Sequence, residues 1–241
     1  MIFYFIRHAQ SVNNALWDST GSSKGRSMDP FVTEIGLQQA ELLAQFLSQT
    51  GQVQAGSDPR DPQNIAGFGI THVYSSLMER AVYTASRIAK ALDLPVLAWE
   101  DLHEEGGIYL EDMETGEKVG QPGRNRAYFT ECYPRLVLPD SLGEEGWWNR
   151  PFETEELRRP RARRVLNELL RRHGGSEDRV AVVSHGGFYN QVMTELLGLP
   201  EVGKPWFLMN NGAITRIDFS AQETVVVYQN RVDYLPREMI T

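Results

Sequence analysis

IFYFIRH, residues 2–8, is an unbroken apolar run that stops on an arginine and a histidine. Two other segments repeat the design: HVYSS at 72–76 passes from strand-favouring residues into two serines, and VAVVSH at 180–185 ends on Ser184 and His185. Apolar runs this short, with helical patterns between them, fit buried parallel strands of an α/β fold. In such sheets ligands sit beyond the carboxyl ends of the strands. The three polar groups are therefore expected on one edge.

Working outward, the helices are readable. Thr33 is an N-cap in front of Glu34 and the apolar set Leu37, Ala40, Leu42, Leu43, Phe46 and Leu47, with a stop near Gly51. Glu79 to Leu92 presents Ala81, Val82, Ala85, Ile88, Ala89 and Leu92 on one broad face. A third helix is expected over Pro160 to Arg172 and a fourth from about Phe188 to Leu197. Ala213 to Phe219 and Thr224 to Gln229, joined by a short polar turn, read as a closing hairpin at the sheet edge. Two stretches lack a regular pattern. The first, 52–69, reads as a surface insertion. The second, about 104–152, is rich in Gly, Glu and Trp and reads as a cap over the site.

Composition sets outer bounds. The 241 residues, 41% hydrophobic and 23% charged, belong to an ordinary globular chain. A net charge of −8 argues against nucleic acid or an anionic membrane as partner, but leaves room for a small anionic ligand held by a few local arginines. No stretch reaches the ~18 consecutive apolar residues of a membrane helix. The single Cys132 offers no internal disulfide and no thiolate cluster. With no signal-like amino end, a cytoplasmic location is expected.

Arg7 and His8 at a strand end cost desolvation unless a ligand or partner meets them. His185 repeats the arrangement with Gly186 and Gly187 behind it, where a helix can start close to an anion. A neutral imidazole can attack phosphorus, and guanidinium forks suit phosphate oxygens. Two histidines with arginines at neighbouring strand ends thus suggest phosphoryl chemistry.

RHAQSVNN at 7–14 resembles the RHGE motif and downstream Asn of the histidine phosphatase superfamily, branch 1, the phosphoglycerate mutase-like enzymes. VTEIGLQQA at 32–40, SSLMERAVYTA at 75–85, LHE at 102–104, VVSHGG at 182–187 and NGAIT at 211–215 resemble further motifs of that family, in its order. The resemblance implies a three-layer α/β/α fold with a mixed, mostly parallel central sheet. The chain would be one domain over 1–241 with a cap-like insertion at about 104–152. It also implies His8 as the nucleophile that becomes phosphohistidine. Arg7, Arg80 and His185 would hold the phosphoryl oxygens, with Asn14 as a further donor. Glu104 would protonate the leaving alkoxide, and the adjacent Glu105 is the alternative acid. Branch 2 enzymes carry Asp after the second histidine, whereas here Gly186 stands there. Ala9 and Gln10 replace the Gly and Glu of RHGE, and Leu77 replaces a usual Pro.

The implied activity is a cofactor-independent phosphomonoesterase acting on a small phosphorylated metabolite. A phosphoglycerate mutase and a non-catalytic phospho-ligand binding module are the alternatives. No metal site is expected: there is no Walker loop or Asp-rich motif, and His72, His103 and His173 lack metal-ligand spacing. Other patterns carry less. Gly21-Ser22-Ser23-Lys24-Gly25 fits GxSxG, yet lacks the strand and helix of a nucleophile elbow. It reads instead as a loop at the pocket mouth where Lys24 or Arg26 touches substrate. Arg158, Arg159, Arg161, Arg163, Arg164, Arg171 and Arg172 read as a solvated helix face. His103 is a candidate pocket residue, and Trp147 and Trp148 read as cap core rather than substrate platform.

Overall fold

The computed structural model describes residues 1–51, 58, 60–112, 114–200 and 205–241; part of the 52–69 insertion lies outside them. In chain order, β1 is Ile2–Arg7, α1 Val12–Thr20, α2 Glu34–Ser48, β2 His72–Ser75, α3 Glu79–Leu92 and β3 Val96–Ala98. The middle of the chain adds β4 Tyr109–Glu111, β5 Lys118–Gly120, α4 Arg126–Cys132 and β6 Leu136–Val137. There follow α5 Glu155–His173, β7 Arg179–Ser184, α6 Gly186–Leu196, β8 Ile214–Phe219 and β9 Thr224–Arg231.

The main sheet has seven strands in the order β6-β3-β2-β7-β1-β8-β9. From β6 to β1 every pairing is parallel, while β8 and β9 run antiparallel at one edge as the expected hairpin. The side chains of the central strands alternate between two cores. Tyr4, Ile6, Val73, Ala181 and Val183 pack under α2 and α3, whereas Phe3, Phe5, Val180 and Val182 pack under α5 and α6. Both faces are covered, so the strands need no polar positions and read as continuous apolar runs. The expected three-layer α/β/α architecture is the one observed.

Register then sets the functional edge. Arg7 stands opposite Ser184 and Ser75 opposite Val183, so β1, β2 and β7 end level with one another. The amide of His8 donates to the Ser184 carbonyl at 2.9 Å and that of Ser76 to the Val183 carbonyl at 3.1 Å. His8, Ser76 and His185 therefore leave the sheet side by side.

Several elements differ from the sequence expectation. α1 follows β1 immediately and buries no residue, so it carries no apolar stripe to read. α5 starts at Glu155 rather than Pro160, because Thr154 with Glu155 and Glu156 starts the helix and the proline is carried inside it. β3 and β6 are too short for periodicity. The stretch at 104–152 is more ordered than expected: β4 and β5 form a hairpin, and β6 joins the edge of the main sheet beside β3. Trp147 and Trp148 are buried with Phe129 and Ile108 in the core beneath α2 and α3. Among the described residues no helix is long and apolar enough to cross a membrane.

Candidate active site

His8 is 2% exposed, and its ring is oriented from both sides. Nδ1 lies 2.7 Å from the Ala9 carbonyl, which can only accept, so Nδ1 carries the proton. Nε2 accepts from Nε of Arg80 at 3.0 Å, which requires a lone pair there. The tautomer inferred from these contacts leaves Nε2 as a base and nucleophile. Burial, then the charges of Arg80 and Arg7, hold His8 well below the ordinary histidine value, so the ring stays neutral.

His185 stands with its ring centroid 5.0 Å from that of His8. Its Nε2 meets Ser76 Oγ at 2.9 Å, while Nδ1 is buried with no hydrogen-bond partner. Burial first, then Arg80, keeps this imidazole neutral as well. Arg7, from the end of β1, anchors one guanidinium nitrogen on the Met209 carbonyl and has a buried Nε with no partner. Buried polar atoms of native proteins are nearly always paired. Two orphans beside a nucleophilic imidazole suit an anionic ligand with several acceptor oxygens.

Arg80 enters from the first turn of α3. Burial lowers its pKa first, and Asp29 and Glu104 oppose that effect. Asp29 lies 3.8 Å from Arg80 Nη1 and accepts from the Glu79 amide at 3.1 Å. Its other oxygen is buried without a partner, and desolvation pushes this carboxyl up to about 6. The sequence reading missed Asp29, because nothing local shows that the loop before α2 folds onto α3.

Glu104 reaches the site by capping α6. One oxygen accepts from the amides of Phe188 and Glu105, each at 2.9 Å, and the other from Gly187 at 3.2 Å. Gly187 makes room for it: a Cβ there would lie 2.5 Å from Glu104 Oε1. Glu105 points to different partners, Arg158 at 3.1 Å and Gln191. The charge of Glu104 acts on both Arg7 and Arg80.

Asn14 serves first as a helix cap. Its Oδ1 accepts from the Ser11 amide at 3.0 Å and from Asn211 Nδ2 at 3.2 Å, and Asn211 also donates to the His8 carbonyl at 3.0 Å. The backbone amide of Asn14 donates to Ser11 Oγ, while its side-chain Nδ2 makes no hydrogen bond among the described residues and is the atom left to meet a ligand.

Three expectations need correction. Arg161 does not lie on a solvated face: it is 1% exposed, grips Glu153 with two nitrogens at 2.6 and 2.7 Å, and donates to the carbonyls of Asp101 and His103. Arg161 stands one turn before Val165 and two before Leu169, on the buried side of α5, and holds the segment leading to Glu104. His103 belongs to the same support, packed on Trp148 at 4.5 Å outside the pocket wall. His72 and His173, far apart in sequence, meet at 4.6 Å beside Asp178. They lie at the opposite end of the strands from His8, and His173 is already paired with Tyr74 and Asp178.

Gly21 is the left-handed cap of α1, not part of a nucleophile elbow, and Lys24 is exposed. Arg26 instead reaches inward to Tyr109. A cavity of about 390 Å³ opens over Arg7, Glu104 and Gly186 between Tyr109, Phe152 and Trp206.

A family model for the histidine phosphatase superfamily (branch 1) matches residues 59–232. A curated relative from Yersinia pestis named probable phosphoglycerate mutase GpmB is 27% identical over 216 residues, covering 90% of this chain and 84% of its own. Among solved structures, a phosphoserine phosphatase from Entamoeba histolytica in complex with 3-phosphoglyceric acid superposes with a TM-score of 0.60 at 21% identity, covering 98% and 99% of the two chains. A putative alpha-ribazole-5'-P phosphatase from Escherichia coli gives 0.61 at 20% identity and 96% of each chain.

Proposed function

The chain belongs to branch 1 of the histidine phosphatase superfamily, and from that premise we propose that it hydrolyses a small phosphomonoester through phosphohistidine at His8. The observation that carries this reading is the unprotonated Nε2 of a buried, neutral His8, its lone pair held only by Arg80 Nε and with Arg7 and His185 close by. As substrate enters, Arg80 turns from Nε2 onto the phosphoryl oxygens. Nε2 attacks phosphorus, the P–O ester bond breaks, and Glu104 delivers a proton to the departing alkoxide. Water then attacks the phosphohistidine while the Glu104 carboxylate takes its proton. Inorganic phosphate leaves and neutral His8 is restored. Buried cations and dipoles aimed at the transferring group stabilise it without reorganising in the reaction. The 104–152 stretch acts as a cap within one catalytic domain.

Rapid acid and base quenches with labelled p-nitrophenyl phosphate test the intermediate. A phosphoramidate on His8, labile in acid and stable in base, is expected, and label on Ser22 or Ser23 would overturn the proposal. His8→Ala should lose several orders of magnitude in rate, since no neighbour replaces an in-line nucleophile. No metal is used in this reading, so activity should survive dialysis against EDTA. Loss restored by added Mg²⁺ would contradict it.

The named relative favours a second reading, phosphoglycerate mutase. Incubation with 3-phosphoglycerate separates the two: free phosphate marks hydrolysis, and phosphoryl migration to the neighbouring hydroxyl marks the mutase.

A further inference from the structure

At the end of the sheet remote from His8, two histidines and an aspartate converge that the phosphoryl chemistry does not use. Their spacing along the chain forms no metal motif, and strand register brings them together. β2 runs parallel to β7 with His72 opposite Val180, which sets the first residue of β2 near Asp178, the residue before β7. His173 is the last residue of α5, and the short return from it to β7 is fixed by Ser176. The amide and hydroxyl of Ser176 donate to the His173 carbonyl at 3.2 and 2.7 Å, and its Oγ accepts from the Asp178 amide at 3.1 Å. One donor atom from each of His72, His173 and Asp178 lies within 4.8 Å of the other two.

Asp178 stands between the two imidazoles. Its Oδ2 is 2.8 Å from His173 Nδ1 and its Oδ1 3.9 Å from His72 Nδ1. A zinc ion with tetrahedral bonds near 2.0 Å spaces its ligand atoms about 3.3 Å apart, between those two distances. His173 also has the outer support of a metal-binding imidazole. Its Nε2 lies 3.0 Å from Tyr74 Oη, which can accept an N–H and so leave the Nδ1 lone pair for an ion. The side chains of His72 and Asp178 are 35% and 30% exposed, which opens a fourth position to water. Coordination would replace the His173–Asp178 hydrogen bond and loosen the 2.9 Å contact of His72 Nδ1 with Thr71 Oγ1.

The surroundings suit a cation. The three side chains gather at the carboxyl end of the 19-residue α5, the negative end of its dipole. The nearby cations have other partners. Arg171 and Arg172 each hold Glu168 at 2.7 Å, Arg179 donates to the Phe68 carbonyl at 3.0 Å, and the amino group of Met1 donates to the Ser176 carbonyl at 2.8 Å. Two imidazoles and one carboxylate match a divalent transition ion, whereas Mg²⁺ and Ca²⁺ take oxygen ligands.

We propose that His72, His173 and Asp178 form a binding site for a zinc-class divalent ion that ties the starts of β2 and β7 to the end of α5. The ion takes no part in the chemistry at His8, so a chelator removes it without touching the reaction.

The test is calorimetric titration of Zn²⁺ into untagged, EDTA-stripped protein carrying His8→Ala, which takes one active-site imidazole out of competition. One equivalent should bind with a micromolar or tighter Kd, and millimolar Mg²⁺ or Ca²⁺ should not displace it. Adding His72→Gln or Asp178→Asn should weaken binding about tenfold or more. Both side chains are partly exposed and Asp178→Asn keeps the shape of the carboxylate, so the two variants guard each other against a folding defect. Zn²⁺ should raise the thermal midpoint of the parent protein and leave those of the two variants nearly unchanged. Failure of Zn²⁺ to bind the parent at micromolar concentration overturns the proposal. So does an equivalent that both variants retain with unchanged affinity, which would place the ion elsewhere.

Discussion

Adjacent in the chain, Glu104 and Glu105 are held by different partners, and that difference is the ground on which the proposed mechanism takes Glu104 as proton donor. Glu105 is committed to Arg158 and Gln191, whereas Glu104 sits on the amino end of α6 with its charge acting on Arg7 and Arg80. General acid assistance contributes about 10²–10⁴-fold, and only to leaving groups that need the proton. Glu104→Gln should therefore slow an alkyl phosphate by about that factor and p-nitrophenyl phosphate far less. Equal slowing of both would make Glu104 structural, and the same pair of assays on Glu105→Gln would then identify the donor. The site was unevenly legible at this scale. Arg7, His8 and His185 announce themselves as ionisable groups at the ends of apolar runs. Glu104 comes from irregular chain and was reached only through resemblance. Asp29 and Arg161 escaped because a charged residue is by default a surface residue, although Arg161 stands one turn before Val165 on the buried side of α5.

The helices that bear the site begin where the chemistry needs them. α6 starts at Gly186, straight after His185, so its first free amides face Glu104 rather than solvent. Gly187→Ala tests the seat: the added Cβ would press within 2.5 Å of Glu104 Oε1 and move that side chain off the amides. We expect kcat on alkyl phosphates to drop about 10- to 100-fold, within the range of a displaced acid, with little change on p-nitrophenyl phosphate. Gly143→Ala, where a Cβ meets nothing within 4 Å, should do neither. Element boundaries followed legibility. α3 is found over Glu79–Leu92 as read, because its apolar stripe is broad and lies directly against the sheet. α1 has no buried face to create a stripe, and α5 runs through a proline that local propensity would place at its start.

At the scale of the molecule, three buried histidines tie stability to pH. His8, His103 and His185 are all held well below the ordinary value, by burial first, with Arg80 next for His8 and His185 and Arg161 for His103. As pH falls through ~6.5 the unfolded chain takes up these protons and the native state does not, so stability is lost in acid. Asp29 works in the opposite sense: raised to about 6, it keeps its proton in the native state where the unfolded chain has already released it, and so adds stability as pH falls towards ~4. Three groups against one leave a net uptake of protons by the unfolded chain in mild acid, so the histidines set the sign. Urea midpoints should fall steadily from pH 7 to pH 5, and midpoints that rise over that range would refute the balance. What the sequence determined by itself were the features that act over a few residues: apolar runs that must be buried on both faces, caps and stripes that make helices, and the abrupt polar ends of the central strands. What tertiary structure alone decided was which distant groups meet: Arg80 Nε on His8, Asp29 against Arg80, and Arg161 under the segment that delivers Glu104. The reason is physical. Strand and helix patterns arise from local periodicity and solvent exclusion. The pairing and desolvation of charges instead depend on neighbours that strand register and chain crossovers bring from far along the sequence.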